Sequence, residues 1–141
     1  MIRQATVRDM DAALVLMREL SSHSFIEEQF EDCFLYNLNQ QTVLVYEQSG
    51  TVCGLCVLAI HYPLHFSGKC AEIVNLVVDE AVRGHGIGKE LLAAMEQVAI
   101  ENGCVRLEVD SGRWREGAHR FYEREGFQNT HCKLTKPLAK E

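Results

Sequence analysis

The run Arg83-Gly84-His85-Gly86-Ile87-Gly88-Lys89 is the part of this chain best equipped for chemistry. It lies between an apolar stretch that reads as a strand and an amphipathic stretch that reads as a helix. At a helix start several backbone N–H groups lack internal partners, and the aligned peptide dipoles add partial positive charge. Glycines let the backbone approach an anion closely, and Arg83 adds a full charge, so the turn is suited to a pyrophosphate. Two other phosphate loops do not fit. A Walker loop needs GxxxxGK followed by Ser or Thr, but three residues separate Gly84 from Gly88 and Glu90 follows Lys89. A dinucleotide fingerprint needs GxGxxG near the start of a βαβ unit, whereas this turn reads GxGxG and comes late. The plainer alternative is a helix start whose glycines only permit close packing.

A second group of residues could move protons. Glu72 stands in Ala71-Glu72-Ile73-Val74, at the start of an otherwise apolar strand. A carboxylate there is partly desolvated and becomes a better proton acceptor; the alternative is a strand-start residue facing water. His61, His65 and His131 are lesser candidates for the same role. A metal between His61 and His65 is not expected, since Pro63 breaks helical spacing and two ligands are too few. The Cys53-Gly54-Leu55-Cys56 pair has no second CxxC and sits in an apolar run, so it reads as packed thiols. No cysteine has the His and carboxylate context of a nucleophile. His131 adjoins Cys132, but neighbours on a strand point to opposite faces.

These residues need a scaffold, and the pattern supplies one. Ile2–Ala5 reads as a short strand. Thr6 to Asp9 offers capping residues before a helix over Met10–Leu20, with Met10, Ala13, Leu14 and Met17 on one face. Ser21–Ser24 breaks it, and Phe30, Phe34 and Leu38 recur at four-residue steps in a second helix over 25–39. Thr42–Glu47 and Thr51–His61 form a hairpin about Gln48-Ser49-Gly50. Tyr62–Lys69 is a loop, and Ala71–Val78 is a nearly continuous apolar strand of the buried, central kind. The glycine turn leads into a helix ending near Glu101, with Ile87, Leu91, Leu92, Met95 and Val98 on one side. Val105, Leu107 and Val109 alternate as a strand. Glu116–Glu125 is a short helix stopped by Gly126, and Phe127–Thr130 with His131–Lys136 closes the chain as a strand or strand pair. The order β-α-α-β-β-β-α-β-α-β predicts an α/β (α+β) fold, a mixed sheet with helices on both faces.

The bulk properties set limits. A chain of 141 residues is one domain by size, spanning residues 1–141. Its net charge of −6 argues against sequence-independent nucleic-acid binding. No apolar run is long enough to span a bilayer, and Met1-Ile2-Arg3-Gln4 opens no signal peptide. Six cysteines without a secretory signal point to reduced thiols in a cytoplasmic setting.

The pattern Arg83-x-x-Gly86-x-Gly88 resembles the acyl-CoA pyrophosphate loop of the GNAT acetyltransferase superfamily. Leu76-Val77-Val78 resembles the family's fourth strand, which pairs its backbone with the pantetheine arm. Ala118-His119-Arg120-Phe121-Tyr122 with Gly126-Phe127 resembles its last helix and following strand. The likeness runs from Val43 to Phe127 in order and spacing. It implies six to seven mostly antiparallel strands, four helices, and acetyl-CoA as cofactor. The cofactor-binding residues would be Leu76, Val77, Val78, Arg83, Gly84, His85, Gly86, Ile87, Gly88, Lys89, Ala118 and Tyr122. One position departs from the family: Arg115 replaces the usual Asn three residues before Ala118. Arg115 could meet a cofactor phosphate or a substrate anion instead.

Acetyl transfer to an amine requires loss of a proton from nitrogen, a polarised carbonyl and a protonated leaving thiolate. The resemblance implies Tyr122 as the acid, since a phenol of pKa near 10 can protonate a thiolate of about 8.5; the alternative is a core aromatic. It implies a bulge on the cofactor strand with an oxyanion donor at Val77 or Val78, and Glu72 as base, directly or through water. Direct attack is expected, not an acetyl-cysteine. Acceptor-side candidates are Phe25, His61, His65, Arg113 and His131, with Glu27, Glu28, Phe30, Trp114 and Lys133 nearby. Glu27–Asp32 reads as a solvated helix face. The tail, and the His61–His65 spacing, resemble aminoalkylphosphonate N-acetyltransferases. The expected reaction is acetylation of a small-molecule primary amine. Alternatives are that phosphonate chemistry specifically, a peptide or protein N-acetyltransferase, or a non-catalytic acyl-CoA-binding module. A homodimer is expected by analogy, through the last strand.

Overall fold

The computed structural model describes residues 1–20, 27–110 and 116–138. They divide into two compact units, residues 1–109 and 110–141. In the first unit the elements are β1 (Ile2–Gln4), α1 (Met10–Leu20), α2 (Glu27–Gln40), β2 (Thr42–Gln48), β3 (Thr51–His61), β4 (Cys70–Val78), α3 (Ile87–Glu101) and β5 (Arg106–Val109). The second unit holds α4 (Glu116–Arg124).

The five strands lie in the order β1-β2-β3-β4-β5. Neighbours from β1 to β4 run antiparallel, while β5 joins β4 in parallel. The expected sheet of six to seven strands is therefore corrected to five among the described residues. The difference lies in the tail: residues 127–138 carry no strand. From Gln128 onward their side chains are exposed, Leu134 and Leu138 almost fully. Without a face to bury, the alternation in this segment has nothing to stabilise a ladder. Elsewhere the expected elements are present, with helix ends shifted by a residue or two. Residues 25 and 26 lie outside the described set.

Local chemistry explains the start of the chain. The Thr6 hydroxyl accepts from the Arg8 amide at 3.3 Å and Asp9 Oδ2 accepts from the Thr6 amide at 2.8 Å, a reciprocal cap before α1. Asp9 is buried and is held by both guanidinium nitrogens of Arg3 at 2.9 Å, and Arg3 also reaches Glu47 on β2 at 2.8 Å. The Arg3 hydrogen bonds hold the Asp9 carboxyl below the usual carboxylate range, against the upward push of burial.

Strand alternation divides the core between two faces. Val43, Val45, Leu55, Val57 and Val77 meet Ala13, Leu16 and Met17 of α1 and Phe34 of α2. On the other face Gly54 lies under α3: a Cβ there would stand 3.0 Å from Leu91 Cδ1 and 3.1 Å from Ile87 Cγ2. The buried side of α3 is Ile87, Leu91, Leu92, Met95 and Ala99, the last in place of the expected Val98.

Two irregularities shape the far half of β4. Val57 pairs with Asn75 but Leu58 with Ile73, so Val74 is an extra residue, a bulge. The bulge expected near Val77 and Val78 thus lies at Val74. The β4–β5 ladder then ends: its pairs run only from Cys70–Arg106 to Ile73–Val109.

Candidate active site

Beyond Val74, no strand among the described residues pairs with β4 on its β5 side. The Asp79 amide donates to the Cys53 carbonyl on β3 at 2.8 Å. By alternation Val77 and Asn75 also turn their backbone groups to β3, and Leu76 and Val78 turn theirs to the open side. Of the two oxyanion donors expected, Val77 is therefore corrected: its amide is committed to the sheet. An open edge with outward N–H and C=O groups can receive an extended, amide-bearing arm as a further strand would.

The same strand leads into the glycine turn. Asp79 caps a short 3-10 turn, Glu80–Val82, by accepting from the Ala81 amide at 3.0 Å. Arg83 follows, extended, with its Nε on the Val78 carbonyl at 3.0 Å. Gly84 and Gly86 both have left-handed backbone, at φ of 88° and 84°. A side chain at either position would be strained. Gly86 is the N-cap of α3 and makes no side-chain cap bond. The first helical bond runs from the Glu90 amide to the Gly86 carbonyl at 3.0 Å. Helix geometry thus leaves the Ile87, Gly88 and Lys89 amides for an outside acceptor. Arg83, Gly84, His85, Gly86 and Lys89 are exposed or half-buried; Ile87 is buried as the anchor.

The other candidates fall in several places. Glu72 lies on β4, abreast of Ala59 on β3 and Glu108 on β5. His61 ends β3, with Nε2 3.7 Å from Glu108 Oε1. His65 sits in a 3-10 turn, Leu64–Phe66, its ring 4.4 Å from that of Phe66. The Arg106 guanidinium lies over the same Phe66 ring at 4.8 Å, and its Nε is 3.5 Å from Glu108 Oε2. The structure thus gathers His61, Arg106 and Glu108 into one cluster, with Glu72 as the ladder partner of Glu108 and His65 linked only through Phe66; the sequence reading missed Arg106 and Glu108. Their signal was available: the alternation of Val105, Leu107 and Val109 assigns Arg106 and Glu108 to the opposite face.

In the second unit Tyr122 is 7% exposed, its ring against Phe121 at 5.3 Å and Phe127 at 5.6 Å. Ala118 lies one turn earlier on α4. The His131 ring meets the Thr130 hydroxyl at 2.6 Å. Since residues 127–138 form no strand, opposite strand faces do not separate His131 from Cys132. Lys133 pairs with Asp110 at 2.8 Å. Phe25, Arg113, Trp114 and Arg115 lie outside the described residues. Glu27 and Glu28 are exposed on α2, as a solvated face would be.

Three of the six thiols are inert by position. Cys53, Cys56 and Cys70 are buried, and burial raises each above the ordinary thiol range, Cys56 to about 12. Among the described residues no group of three or more His, Cys, Asp or Glu side chains could hold a metal ion. No helix among them is long and apolar enough to cross a membrane.

An uncapped helix start after a glycine turn, next to a central strand whose edge is open, suits a phosphorylated ligand with an extended, amide-bearing arm. Residues 11–127 match the acetyltransferase (GNAT) family, and the chain belongs to it. It is accordingly an acyltransferase, with acetyl-CoA as its donor. The chain is 35% identical to an aminoalkylphosphonate N-acetyltransferase of Salmonella typhimurium strain LT2, over 97% of this chain and 90% of that protein. Its fold is shared by solved acetyltransferase structures, two of which serve as examples. Glucosamine-6-phosphate N-acetyltransferase of Arabidopsis thaliana superposes with a TM-score of 0.82 at 22% identity, covering 99% of this chain and 98% of the other. An aminoglycoside N-acetyltransferase in complex with CoA gives 0.84 at 17% identity, covering 97% and 93%.

Proposed function

We propose that this protein transfers acetyl from acetyl-CoA to the primary amine of a small molecule by direct attack, and that an aminoalkylphosphonate is its acceptor class. The carrying observation is the open edge of β4 beside the uncapped start of α3. The diphosphate would rest on the amides of residues 87–89, with Arg83, Gly84, His85 and Gly86 around it. The pantetheine arm would pair with Leu76 and Val78. Glu72, on the same strand, takes the ammonium proton. Nitrogen then attacks the thioester carbonyl, and the outward Val78 amide stabilises the oxyanion. The C–S bond breaks as the amide forms, Tyr122 protonates the departing thiolate, and the second proton shed by the acylated nitrogen restores the phenol.

The acceptor class rests on the 35% identity to the Salmonella enzyme and on basic side chains, His61 and Arg106, beside Glu108, the ladder partner of Glu72. Arg115 and Ala118 are proposed at the cofactor, and Phe25, His65, Arg113 and His131 on the acceptor side. A cytoplasmic setting and a homodimer complete the proposal, the latter without the last strand once expected to form it.

The test is release of free CoA thiol on a panel of aminoalkylphosphonates, amino sugars, polyamines and peptides. Turnover led by the aminophosphonates supports the reading. Turnover on peptides alone, or CoA binding without turnover on any amine, would replace it with a protein acetyltransferase or a binding module.

A further inference from the structure

We propose that Glu108 contacts the acceptor directly: with Glu72 it forms a carboxylate pair that receives the amine as its ammonium ion where β4 and β5 part. The inference deepens the acceptor assignment above and rests on it.

Cross-strand register makes the case. Glu72 and Glu108 are direct partners in a parallel ladder, and so project from the same face. Like charges abreast destabilise a sheet, and packing gives no reason for them, because neither is buried. Their rung is next to last: Ile73–Val109 closes the ladder, Val74 bulges, and among the described residues β4 goes on with no partner on that side. A nitrogen held at this rung lies beside the strand that would carry the thioester.

The surroundings fit an ammonium carrying an anion. Opposite Glu72 on β3 stands Ala59, a short side chain. The ion pairs of Glu108 with Arg106 at 3.5 Å and His61 at 3.7 Å are longer than strong hydrogen bonds. Glu108 therefore keeps capacity for a closer donor. Its side chain is 35% exposed, with His61 at 44% and Arg106 at 33%. An acceptor can reach all three: its ammonium on the carboxylates, its anionic end toward His61 and Arg106.

The test compares Glu108→Gln and Glu108→Asp with the unaltered protein, using 2-aminoethylphosphonate and acetyl-CoA. Loss of a charge-assisted contact should raise the amine KM of the Gln variant about tenfold or more, while kcat and the acetyl-CoA KM change by less than about threefold. The Asp variant should recover most of the loss. Ethylphosphonate, which lacks the amine, should inhibit both variants at least as well as the unaltered protein. An unchanged amine KM in Glu108→Gln overturns the proposal. So does a parallel rise in the acetyl-CoA KM or a loss of ethylphosphonate inhibition, either of which would mark Glu108 as a structural residue. If the unaltered protein turns over other amines but not aminophosphonates, the acceptor class fails and this inference with it. If it turns over aminophosphonates and only the variant result is negative, Glu108 alone is excluded.

Discussion

Single atoms decide how the proposed chemistry can be probed. Tyr122→Phe removes one hydroxyl from a well-packed ring, so kcat should fall about 100-fold with the melting temperature nearly unchanged. Unchanged turnover across the pH range would make Tyr122 a core aromatic and nothing more. Glu72→Gln should lower kcat by a similar factor of about 100 and flatten the acid limb of the pH–rate profile. Asp9 offers a test unconnected with catalysis. Its folded carboxyl is held low by Arg3. The stabilisation is therefore complete above the ordinary carboxylate range and is lost as pH falls through the depressed folded value. Asp9→Asn should cost about 1–3 kcal/mol at pH 7. The gap between the two urea curves should narrow only as pH falls below the ordinary carboxylate range, where the native side chain becomes protonated as well.

At the scale of elements, the anion grip is a property of how α3 begins. Gly86→Ala places a Cβ on left-handed backbone, which costs about 1 kcal/mol. Because the same backbone aims the first amides of α3, the acetyl-CoA KM should rise about tenfold while the amine KM holds. Equal shifts in both would count against an anion seat here. This turn was legible in the sequence because a glycine cluster between a strand pattern and a helix pattern has few uses. The hairpin, α1 and α3 were legible for the same reason, local signals agreeing with one another. The bulge at Val74 was not. An extra residue in a ladder shows only when the partner strand is known, and Val57 and Leu58 carry no mark of it. Nor was the pairing of Glu72 with Glu108, a contact between residues far apart in the chain. The tail was misread because only a partner and a buried face can hold a strand, and neither is written in residues 127–136.

For the whole molecule, the burial pattern predicts an order of thiol reactivity. Cys33 and Cys132 are exposed, Cys104 is intermediate, and Cys53, Cys56 and Cys70 are buried. In the native protein a thiol-specific dye should titrate two groups fast and one slowly. The other three should react only after denaturant, since a buried thiol with raised pKa presents almost no thiolate. Prompt labelling of all six would mean that the sheet opens readily. Acetyl-CoA binding should add stability by mass action and slow the labelling of Cys53 further.

Gly54 works as a gauge between two parts of the molecule that must keep a fixed spacing. It underlies the first turns of α3 through Ile87 and Leu91, and on β3 it stands opposite Val78. A larger residue there would lift the front of the helix like a shim, separating the seat of the diphosphate from the strand meant to carry the thioester. Gly54→Val should therefore destabilise by about 1–3 kcal/mol. In the milder Gly54→Ala, catalytic efficiency should fall before stability does, because a cofactor that grips at two points is sensitive to the distance between them.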